Sequence, residues 1–330
     1  MKIAVIGVTG LVGNMILKVL EENKDIEFDL LAVASEKSIG KNIVFNKQNH
    51  TVLSIEKAIE LRPDIAIFSA GSKVSLQYAP LFAEQGSYVI DNSSAWRMYD
   101  HIPLIVPEIN ASQLKISDKI ISNPNCSTIQ LVMVLHPLHS LFTIKRIVIS
   151  TYQAVSGSGI QALNQMECER KNIACKKVYP HPIDKNVIPH GGDFEENGYT
   201  TEETKLLNET RKILSDSTIN LTATVVRVPV ESGHAESVNI EFENHFQLTE
   251  IHQILASTPG LVVADKPTEN LYPMPLCVAG KNEVFVGRIR RDFSRENCLN
   301  MWIVADNLRK GAATNAVQIA HYLINKKWVK

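Results

Sequence analysis

The 330-residue sequence has no run of about 18 or more apolar residues, the length a membrane-spanning helix needs, so no membrane association is expected. Cysteine is sparse. The five thiols, at 126, 168, 175, 277 and 298, are odd in number and form no C-x-x-C pair. That argues against a disulfide framework and fits free thiols in a reducing compartment, so a cytoplasmic protein is expected. There is no H-E-x-x-H and no Cys/His cluster. His136 and His139 flank Pro137 at what reads as a helix end, which is poor ligand geometry, and no metal is expected. Neither sign of charge prevails. A net charge of -1 gives no electrostatic case for nucleic acid or an anionic membrane. The opening MKIAVIGVTG passes from a short apolar run straight into glycines, with no cleavage site, which does not fit a secretory leader. Internal repeats and low-complexity segments are also missing.

What is present fills two domains. Residues 2–6 are almost wholly apolar, as in a strand covered on both faces. Gly7-Val8-Thr9-Gly10-Leu11-Val12-Gly13 follows at once, and helical periodicity runs from Met15 to Leu20. This is strand, G-x-x-G-x-x-G, helix. Gly7 permits the tight turn, Gly10 the approach of a pyrophosphate, and Gly13 close packing of helix on strand. A plain glycine-rich turn is the competing reading. A second strand, 29–34, runs into Ser35-Glu36-Lys37-Ser38-Ile39-Gly40-Lys41. Dinucleotide sites that take NAD place an acid near here, to hold the ribose 2′-hydroxyl. Two hydroxyls and two lysines suit a 2′-phosphate instead, so NADP is the expected cofactor; Glu36 could hold a free ribose, and the lysines could be ordinary surface charge.

The alternation continues. Residues 64–68 read as a strand ending in Ser69-Ala70-Gly71-Ser72, a helix follows, and 88–91 read as a further strand. Such alternation implies a parallel, doubly wound sheet with its ligand at the carboxyl ends of the strands, which adds Ser69, Ala70 and Gly71 to the cofactor residues. Arg97, in the loop after residue 91, is a candidate anion clamp or an exposed loop arginine. The stretch Ser122-Asn123-Pro124-Asn125-Cys126-Ser127-Thr128 lies between a strand-like run and a helix-like run, 129–135. Pro124 breaks regular structure and Asn125, Ser127 and Thr128 supply capping chemistry. Cys126 is therefore expected at a helix N-terminus, where the dipole favours an anion and a thiol ionises below its free value of about 8.5. A small buried cysteine is an equal reading of this stretch alone.

Beyond Cys126 the rhythm changes. Residues 147–152 read as a strand and Gln153 to Gly159 as a flexible turn, 175–201 are rich in proline and glycine, and 201–214 form a helix with an acidic first turn. Strands are expected at 221–230, 238–242, 284–289 and 299–304, hence an α+β second domain with a mixed sheet, and a long final helix at 308–324. Arg227 and His234 flank 228–233, read as a strand and its turn that could bring both to one cleft.

Together the GVTGLVG opening, the PNCST core, the YQAVSGSG turn, the RVPVESGH segment and the DNLRKGAATNAVQ helix start resemble aspartate-β-semialdehyde dehydrogenase of the bacterial kind, in order and across essentially the whole chain. The resemblance implies an NADP-binding domain of residues 1–124, completed by 308–330, and a catalytic and dimerisation domain of 125–307. It implies a homodimer and the NADPH-dependent reductive dephosphorylation of aspartyl-β-phosphate, a step towards lysine, diaminopimelate, threonine, methionine and isoleucine. It makes Cys126 the nucleophile and His234 the acid/base, with Gln153 orienting the thioester or its tetrahedral precursor. Arg227 would bind the substrate's α-carboxylate and Glu202 its amino group. Arg97, Asn125 and Lys205 match phosphate-binding positions, and Ser156, Gly157 and Asn315 line the nicotinamide. Two positions depart from the pattern: Lys37 stands where an arginine is common, and Gly191-Gly192 where the family is less glycine-rich.

The residue types suit that chemistry. A thiolate attacks an acyl phosphate, phosphate leaves, and the thioester accepts hydride. Two anionic ends need cations, which arginine forks and a lysine point charge provide. Histidine titrates near neutrality, although His234 alone could equally be a core or surface residue. Glu202 and Lys205, i and i+3 on a helix, would by themselves be a surface ion pair. N-acetylglutamyl-phosphate reductase and glyceraldehyde-3-phosphate dehydrogenase share the thioester logic, and the surroundings of Cys126 and Gln153 argue against both. A non-catalytic NADP-sensing module would lack the Cys126/His234 pair, and both residues are present.

Overall fold

The apolar runs of the N-terminal half form a parallel sheet because both of its faces are covered. The computed structural model of the protein describes residues 1–329. It divides into two units: Met1–Asn125 together with the C-terminal stretch from Ala312, and Cys126–Gly311. In the first unit the strands are β1 (Lys2–Ile6), β2 (Asp29–Val33), β3 (Asn42–Phe45), β4 (Gln48–Thr51), β5 (Ile65–Phe68), β6 (Tyr88–Asp91) and β7 (Ile120–Ser122). Five of them pair in the order β2-β1-β5-β6-β7, all parallel. Helices α1 (Leu11–Glu22), α2 (Ile55–Glu60), α3 (Ser72–Glu84) and α4 (Pro107–Asn110) connect them. Ile3 and Val5 of β1 share a buried cluster with Ile16 and Leu20 of α1 and with Val317 and Leu323 of the last helix, Thr314–Asn325. Ala4 and Ile6 point the other way, to Ala58 of α2 and Ala79 and Phe82 of α3. Strands β3 and β4, absent from the sequence reading, form a hairpin whose two turn residues, Asn46 and Lys47, have φ of 49° and 63°. That left-handed pair suits a two-residue hairpin turn.

The second unit contains α5 (Cys126–Phe142), β8 (Ile144–Gln153), α6 (Ile160–Arg170), α7 (Thr201–Leu214), β9 (Asn220–Arg227), β10 (His234–Phe242), α8 (Leu248–Ser257), β11 (Leu261–Val263), α9 (Pro275–Val278), β12 (Val284–Arg291) and β13 (Cys298–Ala305). Its six strands run in the order β11-β12-β13-β10-β8-β9. The β8–β9 and β11–β12 pairs are parallel and the rest antiparallel, so the sheet is mixed as expected. Helix α5 packs on this sheet between α7 and α8.

Three boundaries differ from the sequence reading. Helix α5 does not end near Pro137 but continues to Phe142, placing His136 and His139 inside it. Proline forfeits one helical N–H bond; the buried Leu138 and Phe142 beyond it keep the helix on the sheet. Residues 228–233 are not strand but the connection between β9 and β10. Pro229 has no N–H to give a ladder, and Gly233 turns the chain with φ of 90°. Strand β10 consequently begins at His234 itself. The final helix opens with a π-type turn, Arg309–Ala313, before the regular helix, now α10, at Thr314.

Candidate active site

In the first unit a cleft of about 460 Å³ opens at the carboxyl ends of β1, β2 and β5, lined by Gly7, Thr9, Gly10, Ser35, Glu36, Ser69 and Ala70 among others. Its floor depends on bare backbone. A Cβ at Gly7 would lie 2.6 Å from the Ser69 carbonyl oxygen, and one at Gly13 would lie 2.2 Å from the Gly7 carbonyl oxygen. Gly10 caps α1 without a side chain, so the first-turn N–H groups of Leu11 and Val12 are left for an anion. Gly71, with φ of 87°, starts α3 in the same way. A dinucleotide's pyrophosphate fits such a cradle. Lys37 and Ser38 lie on a 3-10 turn, Glu36–Ser38, beside the cleft; of that turn only Glu36 reaches its wall.

Also in the first unit, Arg97 is buried rather than an exposed loop residue. Its Nε donates to the Asn123 carbonyl oxygen at 2.9 Å and its Nη2 to that of Asn92 at 2.8 Å. Asn315 is fully buried, and its amide donates to the Ile105 carbonyl oxygen at 2.9 Å and to Asn123 Oδ1 at 2.7 Å. Those bonds tie α10 to the strand end that carries Asn123 and the buried Asn125.

In the second unit, strand register gathers the catalytic candidates. Gln153 at the end of β8 pairs with Arg227 at the end of β9. Ala235 of β10 pairs with Tyr152, which sets His234 level with Gln153. Arg227, Gln153 and His234 thus stand in one row across three neighbouring strands, all buried. Above them Gly157 is bare and exposed. A Cβ there would lie 2.8 Å from Arg227 Nη1 and 3.1 Å from both Cε1 and Nε2 of His234. The guanidinium and the imidazole therefore converge on one point of the surface.

Arg227 is held by donating from Nη1 to the Ala154 carbonyl oxygen at 2.8 Å. Its Nε is buried without a hydrogen bond, and no carboxylate pairs with it among the described residues. The next peptide group fixes the histidine: Ala154 N–H donates to His234 Nδ1 at 3.0 Å, which assigns the ring proton to Nε2. Burial, and secondarily the Arg227 charge, hold His234 well below the usual histidine range. Gln153 Nε2 donates to Ser127 Oγ at 3.0 Å, joining the row to the first turn of α5. Cys126 begins α5. Gly311 is pressed against it, since a Cβ at 311 would lie 2.8 Å from the Cys126 Cβ. Glu202 and Lys205 form an ion pair at 3.4 Å on the first turns of α7. The glycines at 191–192 now have a reason. Gly192, with φ of 79°, would put a Cβ 2.2 Å from Thr201 Oγ1, and a Cβ at Gly191 would press on Val225 and Glu202.

Several residues of this site have no role in the sequence reading. Asn307 accepts the Gly233 N–H at 3.0 Å and donates to Ser156 Oγ at 3.0 Å, so one amide sets the backbone before His234 and before Gly157. Asp306 accepts the Gly280 N–H at 2.7 Å and the Leu308 N–H at 2.9 Å. The two open the DNLRKGAATNAVQ stretch directly after an apolar strand, but the sequence alone gives neither a role. Tyr179 is buried close enough to feel the Arg227 charge.

Two family models match the chain. One, described as semialdehyde dehydrogenase, NAD binding domain, covers residues 2–117, and the other, semialdehyde dehydrogenase, dimerisation domain, covers 135–310. The aspartate-semialdehyde dehydrogenase of Aquifex aeolicus is 48% identical, over 98% of each chain. That of Bacillus subtilis is 43% identical, over 97% of this chain and 96% of its own. Among solved structures, aspartate semialdehyde dehydrogenase II of Vibrio cholerae, complexed with ASA, superposes with a TM-score of 0.93 at 40% identity, covering 98% of each chain.

Proposed function

Because this chain belongs to the aspartate-semialdehyde dehydrogenase family, whose members are oxidoreductases, we propose that it reduces L-aspartyl-4-phosphate to L-aspartate 4-semialdehyde with NADPH, through a thioester on Cys126. One observation carries the reading. A buried guanidinium with no carboxylate partner, Arg227, converges with an N–H of His234 on the bare backbone of Gly157. A buried cation that lacks an internal counter-ion fits an anion brought by the substrate. The Vibrio cholerae relative, described as complexed with ASA, supports a small molecule as that ligand.

In this reading Arg227 grips the α-carboxylate with its planar fork and Glu202 takes the amino group. Lys205, Arg97 and Asn125 hold the phosphate. Cys126 attacks the acyl carbon at the head of α5, where the helix dipole favours the thiolate. Gln153, anchored on Ser127, orients the acyl oxygen. His234 offers its Nε2 proton to charge that develops on that oxygen, in a buried setting that strengthens the hydrogen bond. The dinucleotide, when bound, supplies the hydride that converts the thioester to the aldehyde. Gly7, Thr9, Gly10, Leu11, Val12 and Gly13 would hold its pyrophosphate, and Ser156 and Gly157 its nicotinamide. Ser35, Lys37 and Ser38 favour the 2′-phosphate of NADP. The first unit is then the nucleotide-binding domain and the second the catalytic one. The dimerisation domain matched over residues 135–310 supports a homodimer. The free thiols fit a cytoplasmic enzyme in the branched route to lysine, diaminopimelate, threonine, methionine and isoleucine.

The test is the covalent step. Aspartyl phosphate without NADPH should add one aspartyl group to Cys126, read by intact and peptide mass. Cys126→Ala should show no adduct and no turnover while still binding NADPH. Turnover by Cys126→Ala would overturn the thioester route.

A further inference from the structure

The row beneath the catalytic one in the second unit is polar where a core row should be apolar. Two residues below His234 on β10 is Glu236, fully buried and facing the same side of the sheet. Its cross-strand partner is Thr151, two residues below Gln153 on β8. The row below that, Ile149 with Val238, is apolar. Neither oxygen of Glu236 has a hydrogen-bond partner among the described residues, and the Thr151 hydroxyl is likewise unpaired. The group lying against the carboxyl is the amide of Gln130 on α5. Both ends of that amide are buried and, like the carboxyl, have no hydrogen-bond partner of their own. Gln130 is i+4 from Cys126, so the two share one face of the helix.

We propose that Glu236 and Gln130 form an acid–amide clamp that positions Cys126 relative to His234. It rests on the reading of Cys126 and His234 as the reacting pair. A carboxylic acid and a primary amide are complementary: the acid O–H donates to the amide oxygen while the amide N–H donates to the acid carbonyl. A carboxylate offers only acceptors and would leave Gln130 Oε1 orphaned. Complete burial pushes the Glu236 carboxyl well above the usual carboxylate range, which keeps the proton in place. The clamp joins the helix that bears the nucleophile to the strand that bears the imidazole, one turn and one row below the chemistry. The Ser127–Gln153 bond at 3.0 Å is a second link between the same helix and the same face of the sheet. With both links made, α5 can neither slide along its axis nor roll on the sheet. Glu236 is a positioning residue, since it touches no reacting atom.

Three variants test this: Glu236→Gln, Glu236→Leu and the exchange Gln130→Glu with Glu236→Gln. Readouts are the melting temperature, kcat and KM for phosphate-dependent oxidation of the semialdehyde, and the pH profile of Cys126 alkylation by iodoacetamide. Glu236→Gln keeps a neutral pair, and its kcat should stay within about threefold of wild type. Glu236→Leu should melt no lower than wild type yet lose about ten- to a hundredfold in kcat, with KM little changed and the alkylation profile displaced. The exchange restores acid facing amide and should recover the wild-type rate and profile. The clamp is overturned if folded Glu236→Leu keeps wild-type kcat and alkylation, or if Glu236→Gln is as impaired as Glu236→Leu. Should Glu236→Leu not fold, Gln130→Leu removes the same link from the helix side and is judged by the same two outcomes. Alkylation needs no turnover, so it reports on the clamp even with a wrong substrate assignment, whereas turnover by Cys126→Ala would strike the reaction and not the packing.

Discussion

The backbone N–H of Ala154 donates to His234 Nδ1 at 3.0 Å, and that bond fixes what the imidazole can do. Nε2 carries the proton and faces the bare Gly157. Protonating Nδ1 would set two N–H donors head to head, in a buried site already beside the Arg227 charge. The ring therefore works as a neutral donor. Its folded value is held below the ordinary 6.5, so the unfolded chain takes up the proton first as pH falls. The stability this contributes is fully present above pH 6.5 and is lost below it. Thermal or urea unfolding of wild type and His234→Gln between pH 7.5 and 5 should diverge by up to about 1.4 kcal/mol per pH unit, wild type falling faster. Parallel curves would mean that the ring is not held neutral.

Gly157→Ala should act on the site and spare the fold. The added methyl would meet Arg227 Nη1 at 2.8 Å and the His234 ring at 3.1 Å. Position 157 is exposed, and the nearest atoms an added methyl would press on belong to these two side chains. A displacement near 1 Å in a positioning group costs about a hundredfold, so kcat/KM should fall by tenfold or more with the melting temperature within about 2 °C of wild type. Unchanged kinetics would show that Arg227 and His234 do not converge there in solution.

Much of this was legible in residues whose chemistry is local. Gly7 and Gly13 announced the turn because sterics alone demand glycine where a Cβ would meet a carbonyl oxygen. Cys126 announced a helix start because Pro124 and Asn125 stop the preceding strand. What stayed hidden depends on register, which a single strand does not encode. Gln153 lies far from Arg227 and His234 in the chain, and only the β8–β9 and β8–β10 pairings put all three in one row. The same is true of Glu236 and Gln130, which look like ordinary polar residues until burial leaves both without a hydrogen-bond partner. Residues 228–230 read as strand because Val228 and Val230 favour it, while Pro229 and Gly233 decide the outcome.

Glu36 and its neighbours give a cofactor prediction. Glu36 lines the cleft, whereas Lys37 and Ser38 sit on the turn beside it. Lys37→Ala with Ser38→Ala should raise KM for NADP more than for NAD, because only NADP carries the 2′-phosphate. Glu36→Gln removes a like charge from that phosphate and should lower KM for NADP by up to about fivefold, the scale of an exposed pair, without a like gain for NAD. Steady-state kinetics with both cofactors decides. Equal effects on the two would show that this loop does not read the 2′ position.

Arg227→Lys separates charge from geometry. The substitution keeps one positive charge but replaces a planar fork with a point donor. In the protein the fork already spends Nη1 on the Ala154 carbonyl oxygen, and its buried Nε has no partner. A lysine at 227 would have to choose between that carbonyl and the substrate carboxylate. One lost charge-assisted hydrogen bond is worth about 1.5–3 kcal/mol, so kcat/KM for the semialdehyde should fall about ten- to a hundredfold. If kcat falls with it, the carboxylate grip also places the reacting carbon against Cys126. Lys205→Arg is the comparison, because Lys205 is half-exposed in its ion pair with Glu202 and is assigned to the phosphate. That exchange should weaken the response to phosphate or arsenate in the oxidative direction and leave KM for the semialdehyde nearly unchanged. Should Arg227→Lys alter only the phosphate response, and Lys205→Arg only the semialdehyde response, the substrate lies in the site end for end.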